Sequence, residues 1–195
     1  MPIPHRMLHG LAIAIAATPA LALLARFAIH GPGPEPIEDL THMSGEWGLR
    51  CILASLAITP LRRWLGWRRL APLRRTLGLA GFAYACLHLL TWGLLEHALD
   101  ASAILEDLAE RPYVMAGMAA FALLLPLALT STRGWMKRLG RDWIRLHRLV
   151  YLAAALAVLH HFWLVKADYA PPIAHAALLA GLLTARAPRR GERER

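Results

Sequence analysis

Three histidines, His88, His160 and His161, lie inside long apolar segments of the chain, where an ionisable side chain is rare unless it binds something or has a partner. His88 lies 11 residues after Leu77, where one apolar segment begins, and His160 lies 11 residues after Leu149, where another begins. If both segments are membrane helices running in the same direction, the two imidazoles lie at similar depth, roughly 16 Å from one membrane face at 1.5 Å per residue. The matched depth predicts that His88 and His160 bind one metal centre.

The metal centre that fits two such imidazoles is a b-type haem, whose iron accepts one imidazole nitrogen on each face. Two axial histidines leave no open coordination position, which suits electron transfer more than oxygen chemistry. We therefore predict that His88 and His160 bind haem b. The alternative is that both are packing histidines whose rings hydrogen-bond to hydroxyls or carbonyls within a helix bundle.

Two further histidines complicate the assignment on the second segment. His147 precedes His160 by 13 residues and His161 by 14. At about 100° per residue, 14 steps return to within about 40° of the starting face and 13 steps miss it by about 140°, so an ideal helix aligns His147 with His161. The spacing therefore leaves open whether His160 or His161 faces His88.

The sequence allows three roles for His147. A second bis-histidine haem needs a partner one leaflet inward of His88, where the sequence has Arg74, Arg75 and Thr76 instead. His147 is then a lone ligand to an inner haem, part of a quinone or flavin headgroup pocket together with Arg74 or Arg75, or an interfacial cation. The sequence does not separate these readings.

The elements that must position these residues are membrane helices, because 57% of the 195 residues are hydrophobic and the mean hydropathy is +0.40. A spanning helix needs roughly 20 mainly apolar residues. We predict an all-α polytopic bundle of six transmembrane helices forming one haem-binding domain over residues 1–195. The helices are predicted near residues 7–29, 47–61, 77–95, 113–130, 149–165 and 173–184. No internal repeat is evident.

The charge distribution predicts how this bundle is oriented. Basic residues cluster on one side of the predicted helices, as expected for loops facing the cytoplasm, which places both termini inside. This side holds 18 of the 22 basic residues: Arg6, Arg62, Arg63, Arg68, Arg69, Arg74, Arg75, Arg133, Lys137, Arg138, Arg141, Arg145, Arg148, Arg186, Arg189, Arg190, Arg193 and Arg195. The net charge of +9 is thereby explained by topology, and we expect a lipid bilayer and not nucleic acid as the partner.

Several short blocks resemble one known family in content and order: Ile58-Thr59-Pro60-Leu61-Arg62-Arg63, Arg74-Arg75-Thr76-Leu77-Gly78-Leu79 with Tyr84 and His88, Arg111-Pro112-Tyr113, and Leu146-His147-Arg148-Leu149-Val150-Tyr151 followed by His160 and Trp163. They resemble the haem-binding membrane subunits of bacterial methionine sulfoxide reductase systems, within the wider ferric-reductase-like transmembrane family. The resemblance runs from about the second predicted helix through the fifth.

The resemblance implies a function in the bacterial inner membrane. Quinol-derived electrons would cross the membrane through haem b, with a place for a flavin such as FMN, to a periplasmic molybdopterin-containing partner. That partner would reduce oxidised methionine in damaged proteins. The resemblance maps the haem histidines onto His88, His147 and His160, which favours His160 over His161. No G-x-G-x-x-G fingerprint occurs in the chain, so electrons are expected to enter from quinol or from a separate flavoprotein.

Two other functions fit the same residues. A ferric or cupric reductase would use the same haem site with a different outer acceptor. A non-redox membrane transporter would instead line a proton or metal path with His88, His147 and His160. The transporter reading predicts a colourless purified protein, whereas both redox readings predict bound haem.

Overall fold

The computed structural model describes residues 5–186, and the regular structure in that range is helical, which confirms the predicted all-α class. Nine α-helices follow one another: α1 (His5–His30), α2 (Pro36–Leu65), α3 (Leu73–Leu90), α4 (Ala101–Glu110), α5 (Pro112–Leu129), α6 (Arg133–Leu139), α7 (Arg141–Leu146), α8 (Leu149–Leu164) and α9 (Ala170–Thr184). A π-helical segment (Thr91–Glu96) continues α3, and a short 3₁₀ helix (Arg68–Leu70) precedes it.

Each of the six predicted segments is helical, but the boundaries and the connections differ from the prediction. The second helix covers Pro36–Leu65 instead of 47–61, because Pro36 occupies the first helical turn and Gly66, with φ of +67°, ends the helix. Two connections contain three α-helices that hydropathy did not predict. These are α4 in the predicted outer connection, and α6 and α7 in the predicted inner one.

Three of the described helical segments are long and apolar enough to cross a membrane: Met7–His30, Leu73–Glu96 and Pro112–Leu129. The apolar helix α9 is shorter, with 15 residues, and α2 carries Glu46 and Arg50 within its length. Six spans with both termini inside therefore remain a prediction. Four of the basic residues behind that prediction lie outside the described residues: Arg189, Arg190, Arg193 and Arg195.

The centre of the fold is a four-helix arrangement made of two helical hairpins. Helix α2 packs along α3, and α5 packs along α8, while α3 also contacts α5 and α2 contacts α8. Helices α3 and α8 therefore lie diagonally opposite each other. The apolar core between the hairpins includes Leu53, Leu56, Ala153 and Ala154, which are almost fully buried.

The remaining long helices pack outside these four. Helix α1 lies against α3, where the buried Tyr84 hydroxyl donates a hydrogen bond of 2.6 Å to the Ala16 carbonyl. Helix α9 lies against α8 and α2. The Tyr84 hydrogen bond stabilises a buried hydroxyl, because no water is available inside a membrane to replace its partner.

The short helix α4 lies at the end of the bundle that the charge pattern places outside. Asp107 is buried there and holds three groups: its carboxylate accepts from Trp92 Nε1 at 3.1 Å, lies 3.3 Å from His97 Nε2, and pairs with Arg111 Nε at 2.9 Å. These contacts fasten α4 to the π-helical end of α3 and to the start of α5. Asp100 caps α4 by accepting from the Ser102 hydroxyl and amide, and these hydrogen bonds lower the pKa of Asp100.

The closest approach between α2 and α3 depends on glycine. A Cβ on Gly81 would lie 2.8 Å from Ile52 Cγ1, 3.1 Å from the Gly48 carbonyl oxygen and 3.2 Å from the Ile52 amide nitrogen. Two of these atoms are backbone, so the helices themselves would have to separate. Small residues that let helix backbones meet are the usual basis of packing in membranes.

We predict that Gly81→Ala destabilises the protein, because the added methyl group has no space between α2 and α3. Overpacking of this kind costs about 1–3 kcal/mol. The measurement is the midpoint of thermal aggregation in one detergent. Gly78→Ala is the matched control on the same helix, because its Cβ would meet only Ser55 Oγ at 3.5 Å, an ordinary contact. Equal midpoints for the two variants would contradict the proposed packing constraint.

Candidate functional site

The side chain of His88, on α3, lies against the backbone of α2. Its Nδ1 donates a hydrogen bond of 3.0 Å to the Thr41 carbonyl. One helical turn further along α2, Gly45 leaves space for the ring, since a Cβ on Gly45 would lie 3.0 Å from both Nδ1 and Cε1 of His88. The imidazole therefore lies directly against the helix backbone.

His160 is held on α8 by the backbone of α5 in the same way. Its Nδ1 donates a hydrogen bond of 2.7 Å to the Tyr113 carbonyl. One turn further along α5, a Cβ on Gly117 would lie 2.9 Å from His160 Nδ1 and 3.1 Å from Cε1. In both hairpins, 47 residues separate the histidine from the residue whose carbonyl accepts its hydrogen bond.

The two hairpins are therefore repeats of one structural unit, which sequence inspection did not find. Each unit has a carbonyl, a glycine one turn later, and a histidine on the following long helix, at the same separations. The signal in the sequence was the equal distance from Gly45 to His88 and from Gly117 to His160. Few side chains match between the units, so the repeat is visible only once the contacts are known.

The structure brings His88 and His160 together across the bundle, as the matched depth predicted. Their ring centroids lie 6.0 Å apart, with 78° between the ring planes. Two imidazoles on opposite faces of one metal ion, each with a metal–nitrogen bond of about 2 Å, have ring centroids roughly 6 Å apart. The separation thus suits a pair of axial ligands.

The hydrogen bonds also determine which nitrogen of each ring is available. A carbonyl oxygen only accepts, so the proton of each neutral ring lies on Nδ1, and Nε2 carries the lone pair that a metal needs. The hydrogen bonds that His88 and His160 form within residues 5–186 involve Nδ1 and not Nε2. Donation from Nδ1 to a backbone carbonyl is the usual way a protein orients a metal-binding histidine. The two side chains therefore fit the axial positions of a haem.

Within the described part of the chain, no group of three or more histidine, cysteine, aspartate or glutamate side chains is placed to hold a metal ion. A haem needs only two protein ligands, since the porphyrin supplies the others.

His161 faces away from His88. Its ring lies 5.4 Å from the ring of His175 on α9, measured between centroids. The ideal-helix angle that aligned His147 with His161 does not apply, because α7 ends at Leu146 and α8 begins only at Leu149. The turn between these helices breaks the 100° periodicity.

His147 lies at this turn, outside α8 and away from the His88–His160 pair. Its ring stacks on Trp143 with 3.9 Å between centroids. Nδ1 donates to the Trp143 carbonyl at 3.1 Å, and Nε2 lies 3.4 Å from Ser131 Oγ. Burial lowers the pKa of His147, and the nearby Arg74 guanidinium lowers it further, so the ring is neutral at neutral pH.

The consecutive residues Arg74 and Arg75 point to different sides of α3. Arg74 lies within electrostatic range of Tyr151, Arg186 and His147. Arg75 instead lines a cavity of about 630 Å³ between α1 and α3, together with His9 and Thr76. Only one of the two arginines therefore lies with His147.

Comparison with known proteins agrees with this architecture. The family model for the ferric reductase like transmembrane component matches residues 44–158. The chain is 49% identical to the protein-methionine-sulfoxide reductase heme-binding subunit MsrQ of Caulobacter vibrioides over 152 residues, which cover 77% of this chain and 72% of the relative.

Two further relatives carry the same name. The chain is 50% identical to MsrQ of Rhodospirillum rubrum over 163 residues, covering 83% of this chain and 78% of the relative. It is 46% identical to MsrQ of Herminiimonas arsenicoxydans over 176 residues, covering 88% and 81%. The chain therefore belongs to the MsrQ family of membrane proteins, the heme-binding subunits of protein-methionine-sulfoxide reductase, within the ferric-reductase-like transmembrane group.

Proposed function

We propose that this chain binds haem b between His88 and His160 and passes electrons from the quinone pool to a periplasmic molybdopterin-containing methionine sulfoxide reductase. The observation that carries the proposal is the histidine pair itself, with ring centroids 6.0 Å apart and both Nδ1 atoms bound to backbone carbonyls. Bound haem supplies one-electron chemistry. The relatives' name, heme-binding subunit, supports the same cofactor.

The protein contributes orientation and shielding. The Thr41 and Tyr113 carbonyls keep the protons on Nδ1, so both Nε2 atoms stay available without an uptake or release of protons. The core between the four helices is apolar and includes Val158, two residues before His160. If His88 and His160 both hold the haem, no coordination position would be left for a small molecule, and the site would suit electron transfer only.

The proposal places the chain in the bacterial inner membrane with six spans and both termini in the cytoplasm. The His88–His160 pair then lies toward the periplasmic side, and α4 lies at the outer surface. The exposed outer carboxylates, such as Glu106 and Glu110, are available to a partner protein, whereas Asp107 is not, since it is buried against Trp92 and Arg111.

We place the entry of electrons at the inner end of the bundle, where His147 and Arg74 lie together. The family resemblance maps His147 onto a haem ligand, but its Nε2 already lies near Ser131 Oγ, unlike the Nε2 atoms of the outer pair. We therefore assign His147 and Arg74 to a site for the quinol headgroup or for FMN. Arg75 faces α1 and is not part of this group.

The first test is a reduced-minus-oxidised absorbance spectrum of the detergent-purified protein with its histidine variants. His88→Ala and His160→Ala are expected to lose the low-spin b-type signal, because each removes an axial ligand that no neighbour replaces. His161→Ala is the matched control and is expected to keep the signal, since His161 faces His175. Loss in His161→Ala with retention in His160→Ala would overturn the assignment, and a colourless wild-type protein would favour a transporter.

A second test uses the glycine behind His160. In Gly117→Ala the new methyl group would lie 2.9 Å from Nδ1, so the ring must shift and its hydrogen bond to Tyr113 must weaken. We expect a lower haem content or a shifted midpoint potential. Gly181→Ala is the control, because a Cβ there has no neighbour within 4 Å. Identical haem content and potential in both variants would mean that Gly117 does not position the ligand.

A third test separates electron entry from the outer haem. His147→Ala is expected to keep the b-type signal while the rate of haem reduction by a soluble quinol analogue falls at least several-fold. His30→Ala serves as the control, because His30 is exposed at the end of α1. An unchanged rate of haem reduction would mean that His147 is only an interfacial side chain.

A further inference from the structure

His161 and His175 form a second pair of histidines, separate from the His88–His160 pair. His161 lies on α8 and His175 on α9, and their ring centroids are 5.4 Å apart with 68° between the ring planes. His175 is buried, with 9% of its surface exposed. Both residues lie close to the connection 165–169 between the two helices, within roughly 8 Å of it along the helix axes at 1.5 Å per residue.

Each ring of this second pair has one buried nitrogen without a hydrogen-bond partner. The two atoms are Nε2 of His161 and Nδ1 of His175. Neither ring belongs to an ion pair within residues 5–186. A polar atom that is buried without a partner is costly, most of all among membrane helices. The two rings therefore lack a polar group that both could share.

The spacing of the rings suits two ligands of one metal ion. With metal–nitrogen bonds of about 2 Å, two imidazole centroids lie roughly 5 Å apart at a tetrahedral angle and roughly 6 Å apart on opposite sides of the ion. The observed distance of 5.4 Å falls between these limits. The two unpartnered nitrogens do not hydrogen-bond to each other, so their separation is compatible with an ion between them.

The chemistry of this ligand set favours one metal over others. Two imidazoles supply no negative charge, and Glu46 and Arg50, which lie within electrostatic range of His175, pair with each other and add no net charge. A monovalent ion costs less to bury in such surroundings than a divalent one, because the solvation energy grows with the square of the charge. Zn²⁺ takes three or four protein ligands, whereas Cu⁺ accepts two or three ligands in all and binds imidazole.

We propose that His161 and His175 bind one Cu⁺ ion, through Nε2 of His161 and Nδ1 of His175. The site lies beside the proposed haem site, since His161 follows His160 along α8. It goes beyond the proposed function, because it uses neither axial ligand of the haem and does not depend on the source of the electrons.

The experiment uses haem-loaded protein in detergent, so that the His88–His160 pair is occupied. The wild type, His161→Phe and His175→Phe are dialysed without oxygen against a Cu⁺ buffer set by a chelator, and bound copper is measured by elemental analysis. Phenylalanine keeps an aromatic ring at each position but has no nitrogen. His30→Ala is the control for copper held by exposed histidines, because His30 is exposed at the end of α1.

We expect one copper ion per chain in the wild type and in His30→Ala. Loss of a residue that merely orients a metal ligand already costs roughly 10- to 100-fold in metal affinity, so each phenylalanine variant should lose at least this much. X-ray absorption at the copper edge should show two nitrogen ligands at about 2 Å in the wild type. Equal copper binding by all four proteins overturns the proposal, and so does a wild type that binds no copper.

His161→Gln and His175→Gln keep the test decisive if the phenylalanine variants do not fold. An amide can hydrogen-bond to a buried water but is a poor ligand for Cu⁺, so undiminished copper binding in both glutamine variants overturns the site. The b-type signal is recorded on every sample. A wild type with this signal but without copper refutes the copper site alone. A wild type without the signal refutes the haem proposal, whereas copper that is lost in both phenylalanine variants would still support the second site.

Discussion

The hydrogen bond between a histidine Nδ1 and a backbone carbonyl of the neighbouring helix is the interaction on which the rest of the site depends. It occurs twice, from His88 to Thr41 and from His160 to Tyr113. A carbonyl inside a helix already accepts from the amide four residues on, so a second donor must approach from the side. Gly45 and Gly117 make this approach possible, because a Cβ there would lie 3.0 Å from the His88 ring or 2.9 Å from the His160 ring and would push it away.

This constraint explains why the bundle is built from two similar hairpins. Each hairpin needs a helix with a glycine one turn after the accepting carbonyl and a second helix with the histidine at the matching height. Placing the hairpins face to face brings the histidines to diagonal helices, 6.0 Å apart between ring centroids. The close contact of Gly48 and Gly81 lets α2 and α3 approach, and the buried Ala120 and Ala153 stand at the related positions of α5 and α8.

The two ends of the bundle differ in charge and therefore in the groups that they can accept. At one end the buried carboxylate of Asp107 is satisfied by Trp92, His97 and Arg111, so that end is closed by its own side chains. At the other end the Arg186 guanidinium donates to the Tyr151 hydroxyl and to the Leu56 carbonyl, and none of the ion pairs among the described residues includes it. One end of the bundle is therefore closed around a carboxylate and the other around a cation.

The sequence by itself determined the helical class and the approximate positions of the six long helices, and it singled out His88 and His160 as candidates. These follow from hydropathy and from the cost of an ionisable group in lipid, which are properties of single segments. Helical periodicity alone did not determine that His160 and not His161 lies beside His88, because it assumed one continuous helix and the chain turns at His147. The sequence also did not predict that Arg75, unlike Arg74, lines the cavity between α1 and α3, or that Arg186 packs against the bundle. Those outcomes depend on which helices touch, and contacts between distant segments are decided only when the whole chain packs.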